Sequence, residues 1–254
     1  MAFSIPKKRD SVIQMGTGSS EAPSDIKLLV WNVYKGRHRE KWQQDFVRLS
    51  EGKDLILLQE ALHEGWMPAI MTQHFPDHHW KMATSFSFRD LKTGVATGSR
   101  FKASFIDFVR GTEREMFFGT PKVSLASKYN FSDAAKDHMD DLLVVNTHVV
   151  NFTTTGAFVR FVEELLGLVR DHRGPLIIAG DFNTWNQRRW FNLLKILAQF
   201  EIKPVEFDFD PRNLKLDHIF VRGLRATKAV IHDKVVTSDH YPLEVWLEFT
   251  DDIR

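Results

Sequence analysis

Four short polar clusters carry residue types suited to hydrolysis of a phosphate ester: Asn32 with Glu60, Thr147-His148, Gly180-Asp181-Phe182-Asn183 and Ser238-Asp239-His240. Carboxylates suit a hard divalent cation, histidines can donate protons or neutralise charge, and an Asp-x-Asn pair can hold an attacking water. Each cluster follows or adjoins an apolar run that reads as a buried strand. A sheet would therefore carry the polar groups to one edge.

Taken singly, these residues have blander explanations. A strand-end glutamate such as Glu60 is more often solvated or ion-paired, and Asn32 alone would be a turn or cap residue. Asp181 and Asn183, two apart on an extended segment, would project to the same side about 7 Å apart. The Gly-Asp pair also reads as a turn, with Asn183 or Thr184 capping the next helix. An Asp-His pair is common, so Asp239-His240 gains weight only from its place before an alternating terminal strand.

The elements that would position these groups alternate along the chain. Apolar runs at 26–31 and 55–58 predict strands covered on both faces, with Trp42, Phe46 and Leu49 at helical spacing between them. A second helix is expected over 64–73, then strands near 79–83, 94–97, 104–109 and 122–126. Further strands are expected at 142–145, 176–179, 216–221 and 229–231. Phe158, Phe161, Val162, Leu165, Leu166 and Val169 form one helical face, and Trp190, Phe191, Leu194, Leu197 and Ala198 another. The last strand, 243–249, alternates apolar residues with Glu244 and Glu248, as a half-solvated antiparallel strand does. Two sheets with helices outside account best for this pattern.

The 254 residues, 43% hydrophobic, suffice for one large domain, expected over 26–254. Residues 1–25, with Lys7, Lys8 and Arg9 ahead of a Gly/Ser/Pro-rich stretch, predict a mobile or loosely packed arm. No apolar run reaches the roughly 20 residues of a membrane helix, so a soluble, cytoplasmic protein is expected. The formal charge of +1 makes any electrostatic footprint local. The absence of cysteine excludes disulfides, thiolate zinc sites and thiol nucleophiles.

The runs LLVWNVYKG, DLILLQE, VVNTHVVNF, LIIAGDFNTW, LDHIFVRG and TSDHYPL, in that order, resemble the endonuclease/exonuclease/phosphatase superfamily of DNase I-like fold. WNVYK, NTHVVNF and GDFNTWNQRR are most similar to the bacterial YafD-like branch. The resemblance spans residues 26–249 and implies an α/β fold, a four-layer α/β/β/α sandwich of two mainly antiparallel sheets. It implies Mg2+, with Mn2+ as an alternative, on Glu60, with Asn32 nearby and Asp239 either assisting the metal or capping a turn. It further implies that Asp181 and Asn183 orient and deprotonate water, and that His240, paired with Asp217, neutralises charge or donates a proton. His148 and Asn151 become phosphate contacts. Tyr34 stands where exonuclease III-like members carry an acid or amide, which removes a second ligand from the first strand. The segment 213–219 lacks the motif of inositol-polyphosphate phosphatases, which counts against those substrates.

Nucleic acid is the leading expected substrate, with Lys35, Arg37, Arg188 and Arg189 placed to follow a phosphate backbone. His78-His79, Phe86 and Phe88 are candidates to line a groove. The alternatives are a phospholipid phosphodiesterase, which would need an exposed apolar rim at Trp66-Met67 or at Phe86 and Phe88, and, ranked last, a non-catalytic partner-binding module.

Overall fold

Apolar runs that no solvent-facing surface could accommodate require covering on both sides, and stacked sheets flanked by helices provide it. The computed structural model describes residues 3–18, 25–89, 91–117, 119–130 and 141–250. In chain order the strands are β1 (Val12–Met15), β2 (Asp25–Asn32), β3 (Leu55–Leu62), β4 (His79–Phe88), β5 (Leu91–Ser99), β6 (Phe105–Arg110) and β7 (Val123–Tyr129). There follow β8 (Leu142–His148), β9 (Leu176–Asp181), β10 (Lys203–Pro204), β11 (Asp217–Arg222), β12 (Leu224–Ile231) and β13 (Leu243–Phe249). The helices are α1 (Arg39–Ser50), α2 (Trp66–His74), α3 (Thr155–Leu166) and α4 (Gln187–Ala198).

One sheet has the order β1-β4-β5-β3-β2-β13-β12 and the other β10-β11-β9-β8-β7-β6. Among the described residues only β2/β3 and β8/β9 pair parallel. Parallel neighbours need a crossover, and α1 and α3 supply it. The strand period of two then divides the core. Leu28 and Val30 face Val144 and Ile177 between the sheets, while Leu29 and Trp31 turn outward onto Trp42 and Phe46 of α1. On the far side Phe158, Phe161 and Leu165 of α3 cover Val145 and Ile178. The result is the expected α/β/β/α sandwich of mainly antiparallel sheets.

Two buried polar contacts tie the sheets together. Gln59 Nε2 donates to Asn146 Oδ1 at 2.8 Å, and Asn146 Nδ2 donates onward to the Ala96 carbonyl at 2.9 Å. Lys81 Nζ, fully buried, donates to Ser99 Oγ at 2.8 Å and to Tyr129 Oη at 2.7 Å. Each satisfies groups that burial would otherwise penalise.

Several expectations are corrected. The arm expected over 1–25 is not loose at 12–15. Val12–Met15 pair antiparallel with β4, because that edge offers unpaired backbone groups and Val12, Ile13 and Met15 are apolar. Arg110 Nη2 fastens the same segment by donating to Ser11 Oγ at 2.8 Å. Glu244 on β13 is buried rather than solvated, since Lys53 lies 2.7 Å and His232 2.6 Å from its carboxylate. His78 and His79 line no groove: their rings meet the Lys53 carbonyl and Gln14 Oε1, both at 3.1 Å. Met67 is fully buried, and Trp66 packs edge-on against Trp42 at 5.3 Å, so neither forms a rim. Among the described residues no helix is long and apolar enough to cross a membrane.

Candidate active site

Sheet register brings the predicted acids and histidine together. Asp181 ends β9 opposite His148 of β8 on one side and Asp217 of β11 on the other. The Gly180 that precedes it adopts φ +142°, and a Cβ there would lie 1.9 Å from the Thr147 carbonyl oxygen. Only glycine permits that close approach of β8 and β9. From the other sheet Asn32, at the end of β2, donates from Nδ2 to Asp181 Oδ2 at 3.0 Å. The Asn183 amide N–H donates to Asp181 Oδ1 at 2.9 Å, so both carboxylate oxygens are held.

His240 reaches the same point from the loop before β13. Its Nδ1 lies 2.8 Å from Asp217 Oδ2 and its Nε2 3.9 Å from Asp181 Oδ2. The loop is pinned to β2: Trp31 Nε1 donates to the His240 carbonyl at 3.1 Å, and Ser238 Oγ donates to the Asn32 carbonyl at 2.6 Å. The sequence shows neither contact, because indole and hydroxyl groups in such runs carry no signal of a cross-strand bond.

Electrostatics separates these groups. Burial raises the Asp181 carboxyl well above the usual carboxylate range, even against the charge of His240. Burial alone would lower His240, but the carboxylates of Asp217, Asp181 and Asp239 outweigh it and push the ring up to about 10. His148 goes the other way: burial, with the nearby charges of Lys122, His240 and Lys35, holds it far below its ordinary value. An ion pair across the 3.4 Å from His148 Nε2 to Asp181 would need a protonated ring, which that environment opposes. That environment favours the neutral imidazole of His148.

Glu60 sits at an irregularity in β3 with φ +53°. Burial would raise its carboxyl, yet the charges of Lys35 and Lys122 lower it. Lys35 Nζ rests on Glu60 Oε2, presented by a turn in which Tyr34, Lys35 and Gly36 all take positive φ. Non-glycine residues in that region are strained, a feature that gathers at functional sites. The carboxylate thus already holds a cation, and hard oxygen donors on Glu60 and the exposed Asp239 fit Mg2+. Asn32 is fixed at both ends, its Oδ1 accepting the Tyr34 N–H at 3.1 Å and its Nδ2 serving Asp181, which leaves the second lone pair of Oδ1 for a cation. The ligand atoms of Asp181, Asp217 and His240 also lie within 4.8 Å of one another. Within that trio His240 is hydrogen-bonded to Asp217, whereas Asp181 is bonded to Asn32 and Asn183 and faces His240 across 3.9 Å.

A cleft of about 630 Å³ opens over these groups, lined by Asn32, Lys35, Glu60, His148, Asn151, Asp181, Asn183, Asp239 and His240. Lys122, which sequence reading missed, also lines it and pairs with Glu115 at 3.2 Å. Asn183 is not on an extended segment: its φ is +52°, and its Nδ2 donates to the Val149 carbonyl at 2.8 Å. Asparagine tolerates that conformation better than most residues. The helix cap is Asn186, not Asn183 or Thr184.

The expected basic track is not assembled. Arg189 is completely buried and donates to the carbonyls of Asn183 at 2.9 Å and Thr153 at 2.8 Å. It joins the two loops that flank Asp181 instead of facing solvent. Arg188 is exposed on α4 and Arg37 lies against the Tyr34 ring at 5.6 Å, and neither lines the cleft.

A four-layer sandwich with a buried acid, an acid-histidine pair and further carboxylates in one cleft at the sheet edge suits the class of phosphoesterase-type hydrolases. Residues 29–240 match the Endonuclease/Exonuclease/phosphatase family, a family of phosphoesterases, and the chain belongs to it. It is 31% identical to a UPF0294 protein of Vibrio campbellii over 275 residues, covering 98% of this chain and 92% of that one. Among solved structures it resembles an endonuclease/exonuclease/phosphatase family protein from Bacteroides thetaiotaomicron, with TM-score 0.67, 15% identity and coverage of 90% and 99%. A mannosyl-6-phosphatase from the same organism superposes with TM-score 0.61 and 15% identity over 88% of this chain and 100% of that one. At such identities these likenesses concern the fold.

Proposed function

We propose that this protein is a divalent-metal-dependent phosphodiester hydrolase. The observation that carries the reading is Asp181: a buried carboxyl of raised pKa, oriented through both oxygens, facing an imidazolium 3.9 Å away. A base whose pKa lies nearer neutrality is better matched to taking a proton from water.

In the proposed step the water oxygen bonds to phosphorus while Asp181 accepts its proton. The bond from phosphorus to the leaving oxygen breaks in line, and His240 Nε2 gives that oxygen its proton. Asp217 acts through His240, fixing its tautomer and keeping it charged. His148, neutral, and Asn183 and Asn151 orient the phosphate. Glu60 and Asp239 would hold Mg2+ or Mn2+, which when bound neutralises charge on the phosphoryl oxygens.

Nucleic acid is one phosphodiester this site would accept. Of the four cations expected to follow its backbone, only Lys35 lines the cleft, joined there by Lys122. A backbone-tracking enzyme would lose affinity with salt at a log-log slope of about −0.7 to −0.9 per phosphate contacted. The hydrolytic reading is tested with bis(p-nitrophenyl) phosphate and Mg2+ or Mn2+. Turnover should require the metal and vanish in Asp181→Asn, and a metal-loaded parent that leaves the substrate intact would defeat the reading.

A further inference from the structure

Resting on that phosphodiesterase reading, we propose that the mouth of the cleft docks on a phospholipid surface, so that the substrate is a membrane lipid phosphodiester. Its walls are aromatic: Phe3 and Phe86, edge-on at 5.9 Å, line the cleft together with Phe88 and Phe152. Phe3 belongs to the N-terminal segment, held by paired backbone bonds between Ser4 and Ser87.

Beyond the walls, further apolar side chains project into solvent. Met116 is 71% exposed and Phe117 75% exposed, on the connection between β6 and β7, and Phe152 is 50% exposed after β8. Leu91 and Phe88, at the β4/β5 turn, are exposed as well. The two loops are fixed to each other, since Met116 N–H donates to the Phe152 carbonyl at 3.1 Å and the Phe117 ring meets Phe152 edge-on at 5.9 Å. A turn closed by Gly119 N–H on the Glu115 carbonyl holds the tip out. Clustered apolar groups presented to water by built turns mark an interaction surface, whereas scattered ones need no explanation.

The identity of the partner follows from what lies below the rim. The floor carries Lys35, held on Glu60, and Lys122, paired with Glu115, beside the groups proposed to bind a phosphate, while the mouth is phenylalanine and methionine. A molecule that joins a phosphodiester to hydrocarbon matches both. A nucleic-acid backbone asks for a row of cations instead, and Arg189 is buried while Arg188 lies off the cleft.

The test is co-sedimentation of the full chain, without added metal, with vesicles of phosphatidylcholine and phosphatidylglycerol. The parent should pellet with them, and the Met116→Ser/Phe117→Ser variant, with an unchanged melting temperature, should partition at least tenfold less, as expected for losing burial of a large apolar side chain. No vesicle binding by the parent, or binding that salt abolishes and the double variant leaves unchanged, overturns the proposal. Salt-dependent binding of single-stranded DNA in place of vesicles overturns it in favour of a nuclease. Bis(p-nitrophenyl) phosphate separates the two readings: vesicle binding without its hydrolysis leaves the surface and removes the phosphodiesterase, and hydrolysis without vesicle binding does the reverse.

Discussion

Glu60, half-buried, and Asp181, buried, are carboxyl groups of one cleft, yet their surroundings drive them apart: Lys35 and Lys122 lower the first, and desolvation raises the second. That separation divides cation binding from proton transfer. Glu60→Gln should therefore abolish metal-dependent turnover and weaken Mg2+ binding in a calorimetric titration while the melting temperature hardly moves. Undiminished Mg2+ binding would show that the ion sits elsewhere. For the acid-histidine pair, His240→Ala should lower turnover by about 100-fold or more and Asp217→Asn by less, since the aspartate works through the ring. The double variant should resemble His240→Ala alone, because residues acting as a unit are not additive. If the two losses multiply in full, the dyad is not one functional group.

At the scale of elements, the loops that carry the site are set by residues whose part is visible only in three dimensions. Arg189 looked like a surface cation beside Arg188, since a helix start with two arginines gives no indication of which one turns inward. In the fold its guanidinium lies over the Phe158 and Trp185 rings at 4.9 and 4.8 Å and joins the 182–185 loop to the 149–154 loop. Arg189→Met leaves three carbonyls without that donor, so turnover should fall by about tenfold or more with a loss of roughly 1 to 3 kcal/mol in stability. Urea denaturation beside steady-state kinetics checks it, and a variant equal to the parent in both would refute the role. Strand ends such as Asp181 and Asp217 were legible because hydrophobic runs fix where strands stop, and period alone places their neighbours. The β1 edge strand was not legible. Four residues among Lys, Gly and Ser make too short a pattern, and its reason for forming is the vacant edge of β4. The conformation of Asn183 was hidden for a related cause, as a single left-handed residue leaves no trace in a periodicity of two.

For the molecule as a whole, the stability profile should be governed by histidines buried neutral in different parts of the fold. His63 lies against Thr84 Oγ1 at 3.0 Å, His78 against the Lys53 carbonyl, and His218 between Thr184 Oγ1 and the Trp190 ring. Burial is the leading cause in each, and it lowers His63 to about 3 and His78 and His218 to about 4. An unfolded chain titrates these rings near 6.5, so between the two values it binds more protons than the folded protein, and stability must rise with pH there. Their contribution is fully present above about pH 6.5 and disappears as the pH falls toward 4 and then 3. His240 has the opposite sign: raised to about 10, it stabilises below its unfolded value and loses that contribution as the pH climbs through 10. Below pH 6.5 the contribution of the raised ring is constant, so the depressed rings set the slope on the acid side. The urea midpoint should therefore drop steeply from pH 6.5 to 4, and His218→Gln, which keeps a polar group near Thr184, should flatten the slope. A midpoint that stays level over that range, or a variant with the parent's slope, would mean that these rings are protonated in the folded state and that burial does not govern them.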